Sequence, residues 1–188
     1  ILSKISDKDF KIKYIDVKNA KDSNNMSSTM ASIRESFKYA KNCEDLIYFV
    51  EDDYIHKSES LAEMLFAYEK FSSIYKKEIF LLSTDYPYLY KKLDSSSILI
   101  GENIHWRTVK ESLLTFMTSK NMIEKYFEKL IDMATTESNP FEKNLHEIYE
   151  KELCFSPIPS LSLHCTNINS VFGVSPNINL KKFWDDCK

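Results

Sequence analysis

The chain has 188 residues, 43% of them apolar, which is enough to bury the core of one domain. Its net charge of −3 argues against a nucleic-acid-binding protein, which needs a basic surface, and no apolar run approaches the roughly 20 residues that span a bilayer. Its four cysteines form no CxxC pair, so we expect no zinc cluster or disulfide framework and a reduced, cytoplasmic setting.

The first third of the chain alternates between strand and helix patterns. Residues 11–17 alternate apolar and charged side chains and predict a strand, and residues 22–28 predict a polar loop. A helix is predicted from Ser28 or Thr29 to about residue 41, with Met30, Ile33, Phe37 and Ala40 on one face. The apolar residues 46–50 predict the next strand. This strand–helix–strand order is typical of a βαβ unit with parallel strands.

The later elements follow without a repeat or a linker, so we expect one domain over residues 1–188. A second helix is predicted from Ser58 or Ser60 to Tyr75, with its inward side chains at Leu61, Met64, Leu65, Tyr68 and Phe71. We then expect a strand at 79–83, a hairpin of 97–100 with 104–109, a strand or helix at 113–117, helices at 120–133 and 141–152, an extended segment at 155–164, and an irregular tail at 166–188.

Three carboxylates, Glu51, Asp52 and Asp53, follow the strand predicted at 46–50. Adjacent carboxylates repel one another and lose hydration at a cost unless a cation compensates for it. Mg²⁺ or Mn²⁺ commonly does so, since these ions favour hard oxygen ligands together with substrate phosphates. In α/β sheets, ligands bind at the carboxyl ends of strands. The pattern predicts a divalent-metal site here, with a solvated acidic turn as the alternative.

A second candidate cluster is His105-Trp106-Arg107. An exposed Trp106 would stack on a sugar, and Arg107 would bind a phosphate or carboxylate through two hydrogen bonds, which Lys cannot do. A core Trp beside a surface Arg is an equal alternative. Asp85 ends the strand at 79–83, where an Asx turn or an acceptor contact would explain it. We assign no role to His56 and His146.

The order of polar loop, amphipathic helix, apolar strand and acidic triplet resembles a glycosyltransferase of the GT-A fold, and the inverting family 2 type in particular, over about residues 11–165. The resemblance implies a three-layer α/β fold with a mainly parallel sheet. It also implies that Glu51-Asp52-Asp53 is the "DxD" element that holds a divalent ion on the diphosphate of a sugar nucleotide. Trp106 and Arg107 would then contact the same donor.

A later segment continues this resemblance. Pro140-Phe141-Glu142 leads into a helix, and an extended segment leads to His164. The resemblance implies that Glu142 is the catalytic base and that His164 joins Asp53 and Glu51 as a metal ligand. Glu137 and Glu147 are the other carboxylates near enough to be the base. Stabilisation of the helix dipole by Glu142 and a structural hydrogen bond by His164 stay open as alternatives.

The implied reaction transfers a sugar from a nucleotide-sugar donor to a hydroxyl of a glycan or other acceptor, with Mn²⁺ or Mg²⁺ as cofactor. The metal absorbs charge on the diphosphate leaving group and the carboxylate base activates the acceptor hydroxyl. Only 50 residues precede Glu51, so we expect the first nucleotide-binding βα unit to be missing, shortened or upstream. Membrane-surface association stays open.

Two other functions are compatible with the sequence. The first is a non-catalytic carbohydrate- or partner-binding domain of the same fold. The second is a metal-dependent nucleotidyl or phosphoryl transferase, which also uses paired carboxylates. This second function would need a glycine-rich phosphate loop or a basic cradle, and the sequence, with two glycines in all, shows neither.

Overall fold

The computed structural model describes residues 15, 17, 25–91, 94–165 and 179–186. The helices are α1 (Asn25–Ala40), α2 (Ser60–Tyr75), α3 (Lys120–Lys125), α4 (Phe127–Met133), α5 (Lys143–Tyr149) and α6 (Leu180–Asp186), with a 3₁₀ helix at Pro87–Lys91. The strands are β1 (Leu46–Phe49), β2 (Tyr54–His56), β3 (Phe80–Leu82), β4 (Ile98–Ile100), β5 (His105–Thr108), β6 (Phe116–Ser119), β7 (Cys154–Ile158) and β8 (Ser162–His164). The strand predicted at 11–17 lies outside the described residues, apart from Ile15 and Val17.

Six strands form one mixed sheet in the order β1-β6-β3-β7-β5-β4, and β2 pairs with β8 in a separate ladder. The α/β class is confirmed, but the prediction of a mainly parallel sheet is wrong, because among the described strands only β3 and β7 pair in parallel. The tight turn between β4 and β5 permits only antiparallel pairing. Strand β6 is inserted between β1 and β3 against the direction of both. Apolar patterning carries no information on strand direction, so it could not predict this insertion.

Helices cover both faces of the six-stranded sheet. Phe80 and Leu82 of β3 point into a core covered by α1, α3, α4 and α5, whereas Leu81 points into a second core covered by α2. This alternation follows from the pleat of a strand, which sends successive side chains to opposite faces. The described residues therefore form three layers, helix–sheet–helix.

Several element boundaries differ from the predicted ones. Helix α1 begins at Asn25, so part of the predicted loop at 22–28 is helical, although Phe37 and Ala40 are buried as expected. The single helix predicted at 120–133 is two helices that meet at Tyr126, whose φ of −109° is not helical. The predicted helix at 141–152 is limited to α5. Of the segment 113–117, predicted as a strand or helix, only residues 116 and 117 belong to a strand, β6.

The tail predicted as irregular contains helix α6, so that prediction is wrong for its last part. The Asn179 side-chain oxygen accepts a hydrogen bond from the Lys182 amide at 3.0 Å, in the manner of an N-cap, and Phe183 is buried. Residues 166–178 lie outside the described residues. No helix in the described ranges has the length and apolar character needed to cross a membrane.

Helix α2 buries three of its five predicted inward side chains, Met64, Tyr68 and Phe71, but not the two leucines. Leu61 and Leu65 are 50% and 43% exposed, whereas Glu63 is 2% exposed. The Glu63 carboxylate accepts hydrogen bonds from the backbone amides of Glu102 and Asn103, at 3.0 and 2.9 Å, and from another donor in the β4–β5 hairpin. The donors of the hairpin tip therefore allow a carboxylate to be buried on the inward face of the helix.

That further donor is the indole of Trp106, whose Nε1 lies 3.1 Å from Glu63 Oε1. Trp106 is fully buried. Gly101 completes the packing, because a Cβ there would lie 2.2 Å from Glu63 Oε1 and 2.6 Å from Trp106 Nε1. Only glycine leaves the carboxylate and the indole in contact.

We expect Glu63→Gln to destabilise the protein by about 1–3 kcal/mol, because a neutral amide cannot accept all of these hydrogen bonds and leaves a buried donor unsatisfied. Urea denaturation would measure the change. Glu69→Gln, at an exposed position of the same helix, is the control and should stay within about 0.5 kcal/mol of the parent. Equal stability of the parent and Glu63→Gln would contradict this account of the hairpin.

Candidate functional site

The candidate site lies at the edge of the sheet where β1, β3 and β7 end. Strands β1 and β3 both run opposite to β6, and β3 is parallel to β7, so their carboxyl ends share one edge. The segments that follow these strands carry the acidic triplet 51–53, then Asp85, then Ser160. The prediction that the triplet follows the carboxyl end of a sheet strand is confirmed.

Asp53 and His164 are in direct contact, with 2.8 Å between Asp53 Oδ2 and His164 Nε2. The β2–β8 ladder brings them together, since it pairs Tyr54 with His164. The Tyr54 ring stacks on the imidazole with centroids 4.6 Å apart, and the Cys165 amide donates to the Asp53 carbonyl at 2.8 Å. Two of the predicted metal ligands, 111 residues apart in sequence, are therefore neighbours.

Glu51 is tied to the loop before β6. Its amide donates to Thr115 Oγ1 at 3.2 Å, and the Thr115 hydroxyl donates to Glu51 Oε2 at 3.4 Å. The pKa of Glu51 is raised to about 7, chiefly by burial and then by the negative charges of Asp53, Glu142 and Asp52, while the Thr115 hydrogen bond opposes the shift. Glu51 is therefore a carboxyl that changes charge near neutral pH.

Glu142 shares this acidic surrounding. It stands at the N-cap of α5 and makes no capping hydrogen bond through its side chain. Burial raises the pKa of Glu142, and the positive charges of His146 and His164 act against the shift. Because Glu142 in turn raises the pKa of Glu51, the structure places Glu142 within electrostatic range of both Glu51 and His164.

The other two candidate bases differ from Glu142. Glu147 is exposed and forms an ion pair with Lys129, which lowers the pKa of Glu147. Glu137 is exposed. Neither side chain shares the half-buried, carboxylate-rich surrounding of Glu142, which stays the candidate base.

The predicted role of Trp106 in stacking on a sugar is wrong, because its ring is fully buried and held by Glu63. Arg107 donates from both Nε and Nη2 to Asp85 Oδ1, at 3.3 and 2.7 Å, and lies over the Tyr90 ring. Its donor fork is thus engaged with a carboxylate of the protein itself. Asp85 is 2% exposed, and burial raises its pKa despite this partner.

Sequence reasoning missed several residues around the triplet. Tyr54 and Tyr86 join their hydroxyls at 2.6 Å, and His146 Nε2 lies 3.0 Å from the Ser112 carbonyl in the loop that leads to Thr115. The two tyrosines could have been found, because each directly follows an acidic residue at a strand end. Thr115 carries no such signal, since its partner is 64 residues away.

A groove of about 740 Å³ runs between α1 and β1 and ends at the acidic triplet. Its walls combine the hydroxyls of Ser28, Ser32 and Ser36 with the rings of Phe37 and Phe49. This volume lies within the range of roughly 300–1,000 Å³ typical of small-ligand sites. The acidic triplet thus stands beside a space large enough for a nucleotide.

The donor set suits a hard divalent ion in kind, since it contains carboxylates and an imidazole. Within the described ranges, however, no three His, Cys, Asp or Glu side chains are grouped closely enough to hold a metal. Metal binding by Asp53, Glu51 and His164 stays a prediction. No protein-family model, curated protein or solved structure matches the chain, and the resemblance to GT-A glycosyltransferases stays a prediction too.

The raised pKa of Glu51 predicts a pH-dependent stability. Between its ordinary pKa of 4.5 and about 7, this carboxyl binds more protons in the folded than in the unfolded state. The free energy of unfolding should therefore fall as pH rises through this window, by on the order of 2 kcal/mol after allowance for solvent screening. Glu51→Gln should remove this component.

Urea denaturation at pH 5 and pH 8 would measure the effect. The parent should lose stability from pH 5 to pH 8, and Glu51→Gln should lose less. Glu44→Gln, at an exposed position before β1, should follow the parent. If the parent and Glu51→Gln showed the same pH dependence, Glu51 would titrate in its ordinary range.

Proposed function

We propose that the protein is a metal-dependent glycosyltransferase that moves a sugar from a nucleotide-sugar donor to an acceptor hydroxyl. One observation carries the proposal: Asp53, at the end of the α1–β1 groove, contacts His164 while Glu142 lies within electrostatic range of that imidazole. The transfer needs a centre for the diphosphate and a separate base for the acceptor. The three side chains supply candidates for both.

Asp53, His164 and Glu51 would hold the divalent ion, which would stabilise negative charge on the departing diphosphate. Asp53 and His164 are already in contact, and the Thr115 hydroxyl holds the Glu51 carboxylate near them. Ionised Glu51 is disfavoured by its acidic neighbours, so a cation that relieved this repulsion would lower its pKa. The nucleotide would occupy the groove beside the triplet.

Glu142 would accept the proton of the acceptor hydroxyl. A base works best when its pKa lies near the operating pH, and burial shifts the pKa of Glu142 upward from its ordinary value. Its position before the first turn of α5 places it on a helix that packs against α4. A carboxylate mounted in this way is more precisely placed than one on a free loop.

A non-catalytic binding domain is the second candidate, and one observation favours it. Among the described residues, no three metal-ligating side chains lie close together. A site that had lost its metal would have this feature. Binding of a nucleotide sugar without transfer to any acceptor would identify this function.

We expect Asp53→Asn to abolish Mn²⁺-dependent binding of nucleotide sugars, because a neutral amide is a much weaker ligand for a hard cation. Calorimetry with a panel of uridine and guanosine diphosphate sugars, with and without Mn²⁺, would measure it. Asp45→Asn, at an exposed position before β1, should bind as the parent does. Unchanged Mn²⁺-dependent binding by Asp53→Asn would overturn the assignment of the metal site.

We expect Glu142→Gln to lower turnover by ~10²–10⁴-fold, the usual effect of losing a general base, with donor affinity nearly intact. Donor affinity should persist because Asp53, Glu51 and His164 are unchanged. Glu147→Gln is the matched control on the same helix and should keep the parent rate. Transfer at the parent rate by Glu142→Gln would show that the base is elsewhere.

A further inference from the structure

A second cavity, of about 630 Å³, lies away from the acidic triplet. Leu153, which precedes β7, and Val109, which follows β5, line it, so this part of its lining lies at the strand ends opposite the triplet. Its described lining shares no residue with that of the α1–β1 groove. The site proposed above therefore does not account for this cavity.

The Tyr90 ring is held rigidly at the wall of this cavity. Its hydroxyl donates to the Asp85 carboxylate, and the Arg107 guanidinium lies over the ring with Cζ 4.1 Å from the centroid. Both supports are themselves buried, since the side chains of Asp85 and Arg107 are 2% and 11% exposed. Tyr90 nevertheless remains 48% exposed. It is a fixed aromatic surface open to a ligand.

The lining also contains charged side chains, and their charges balance. Four basic side chains line the cavity, namely Lys77, Arg107, Lys110 and Lys151. Four acidic side chains also line it, namely Asp94, Glu111, Glu150 and Glu152. Some of these charges already form ion pairs, such as Lys110 Nζ with Glu150 Oε2 at 2.7 Å. A strongly charged ligand would gain little from such a surface, because each attraction is offset by a repulsion.

Hydroxyls and a second ring complete the lining. Ser95, Ser96 and Ser97 form one wall, and Tyr75, 36% exposed, contributes a second aromatic side chain. Aromatic faces bind apolar C–H surfaces, while serine hydroxyls and charged groups form hydrogen bonds. A carbohydrate is the ligand class that is uncharged, rich in hydroxyls and apolar on its ring faces.

We propose that this cavity binds a neutral oligosaccharide by stacking a sugar ring on Tyr90. The site needs neither a metal ion nor Glu142, so it stands apart from the proposed transferase centre. Its volume is within the range of small-ligand sites. The ion pair of Asp85 and Arg107, which explains neither metal nor donor binding, here serves to orient the ring.

The test is an NMR titration of the protein with two neutral oligosaccharides, maltohexaose and chitotetraose, up to about 10 mM. We expect at least one of them to shift the amide signals of Ser95–Ser97. Tyr90→Ala should weaken this binding about tenfold through loss of the stacking contact. Tyr90→Phe, which keeps the ring but loses the hydrogen bond to Asp85, should weaken it less.

Tyr39→Ala is the matched control, because Tyr39 is 38% exposed and lines the α1–β1 groove instead. It should bind the oligosaccharide as the parent does, and so should Asp53→Asn. Absence of binding by both oligosaccharides, or equal binding by Tyr90→Ala and the parent, would overturn the proposal. Loss of binding in Tyr39→Ala would also overturn it by placing the sugar in the groove. Asp53→Asn changes only the proposed metal centre. Oligosaccharide binding at Tyr90 would therefore still be observed if the transferase proposal failed.

Discussion

The contact between Asp53 and His164 joins two parts of the chain that are 111 residues apart, and the candidate site depends on it. It is supported by the β2–β8 ladder and by the stacking of Tyr54 on the imidazole. The side chains of Asp53 and His164 are 29% and 9% exposed, so the contact is largely shielded from solvent. The site is therefore assembled by tertiary pairing and not by a contiguous motif.

Glu51 and Glu63 have the same type of side chain but serve different purposes. Glu63 is almost fully buried and accepts hydrogen bonds from two backbone amides and an indole, so its charge is well solvated by the protein. Burial and then several carboxylate neighbours raise the pKa of Glu51 to about 7, and the hydrogen bond from the Thr115 hydroxyl opposes this shift only in part. Hydrogen-bond donors stabilise a structural carboxylate, whereas acidic neighbours prepare a carboxylate for a cation or a proton.

A cluster of carboxylates is a cost that the rest of the fold must offset. The two apolar cores on either side of the sheet supply that stability, with β3 contributing side chains to both. This division is common in proteins, where strained or repulsive groups persist at functional sites because the surrounding structure holds them in place. Here the repulsive carboxylates follow β1, which is an outer strand of the six-stranded sheet, whereas β3 is an interior strand.

The sequence by itself determined most of the helices, the strand before the triplet and the class of fold, because apolar periodicity reports which face of an element is buried. The grouping of Asp53, Glu142 and His164 was expected only from the resemblance to GT-A glycosyltransferases, and the structure shows one contact among them, between Asp53 and His164. The tertiary structure decided the direction of β6, the burial of Trp106 and the inward turn of Glu63, since each depends on a partner distant in sequence. Apolar patterning reports burial but not direction, and it does not show that the donors of a hairpin tip allow a carboxylate to be buried.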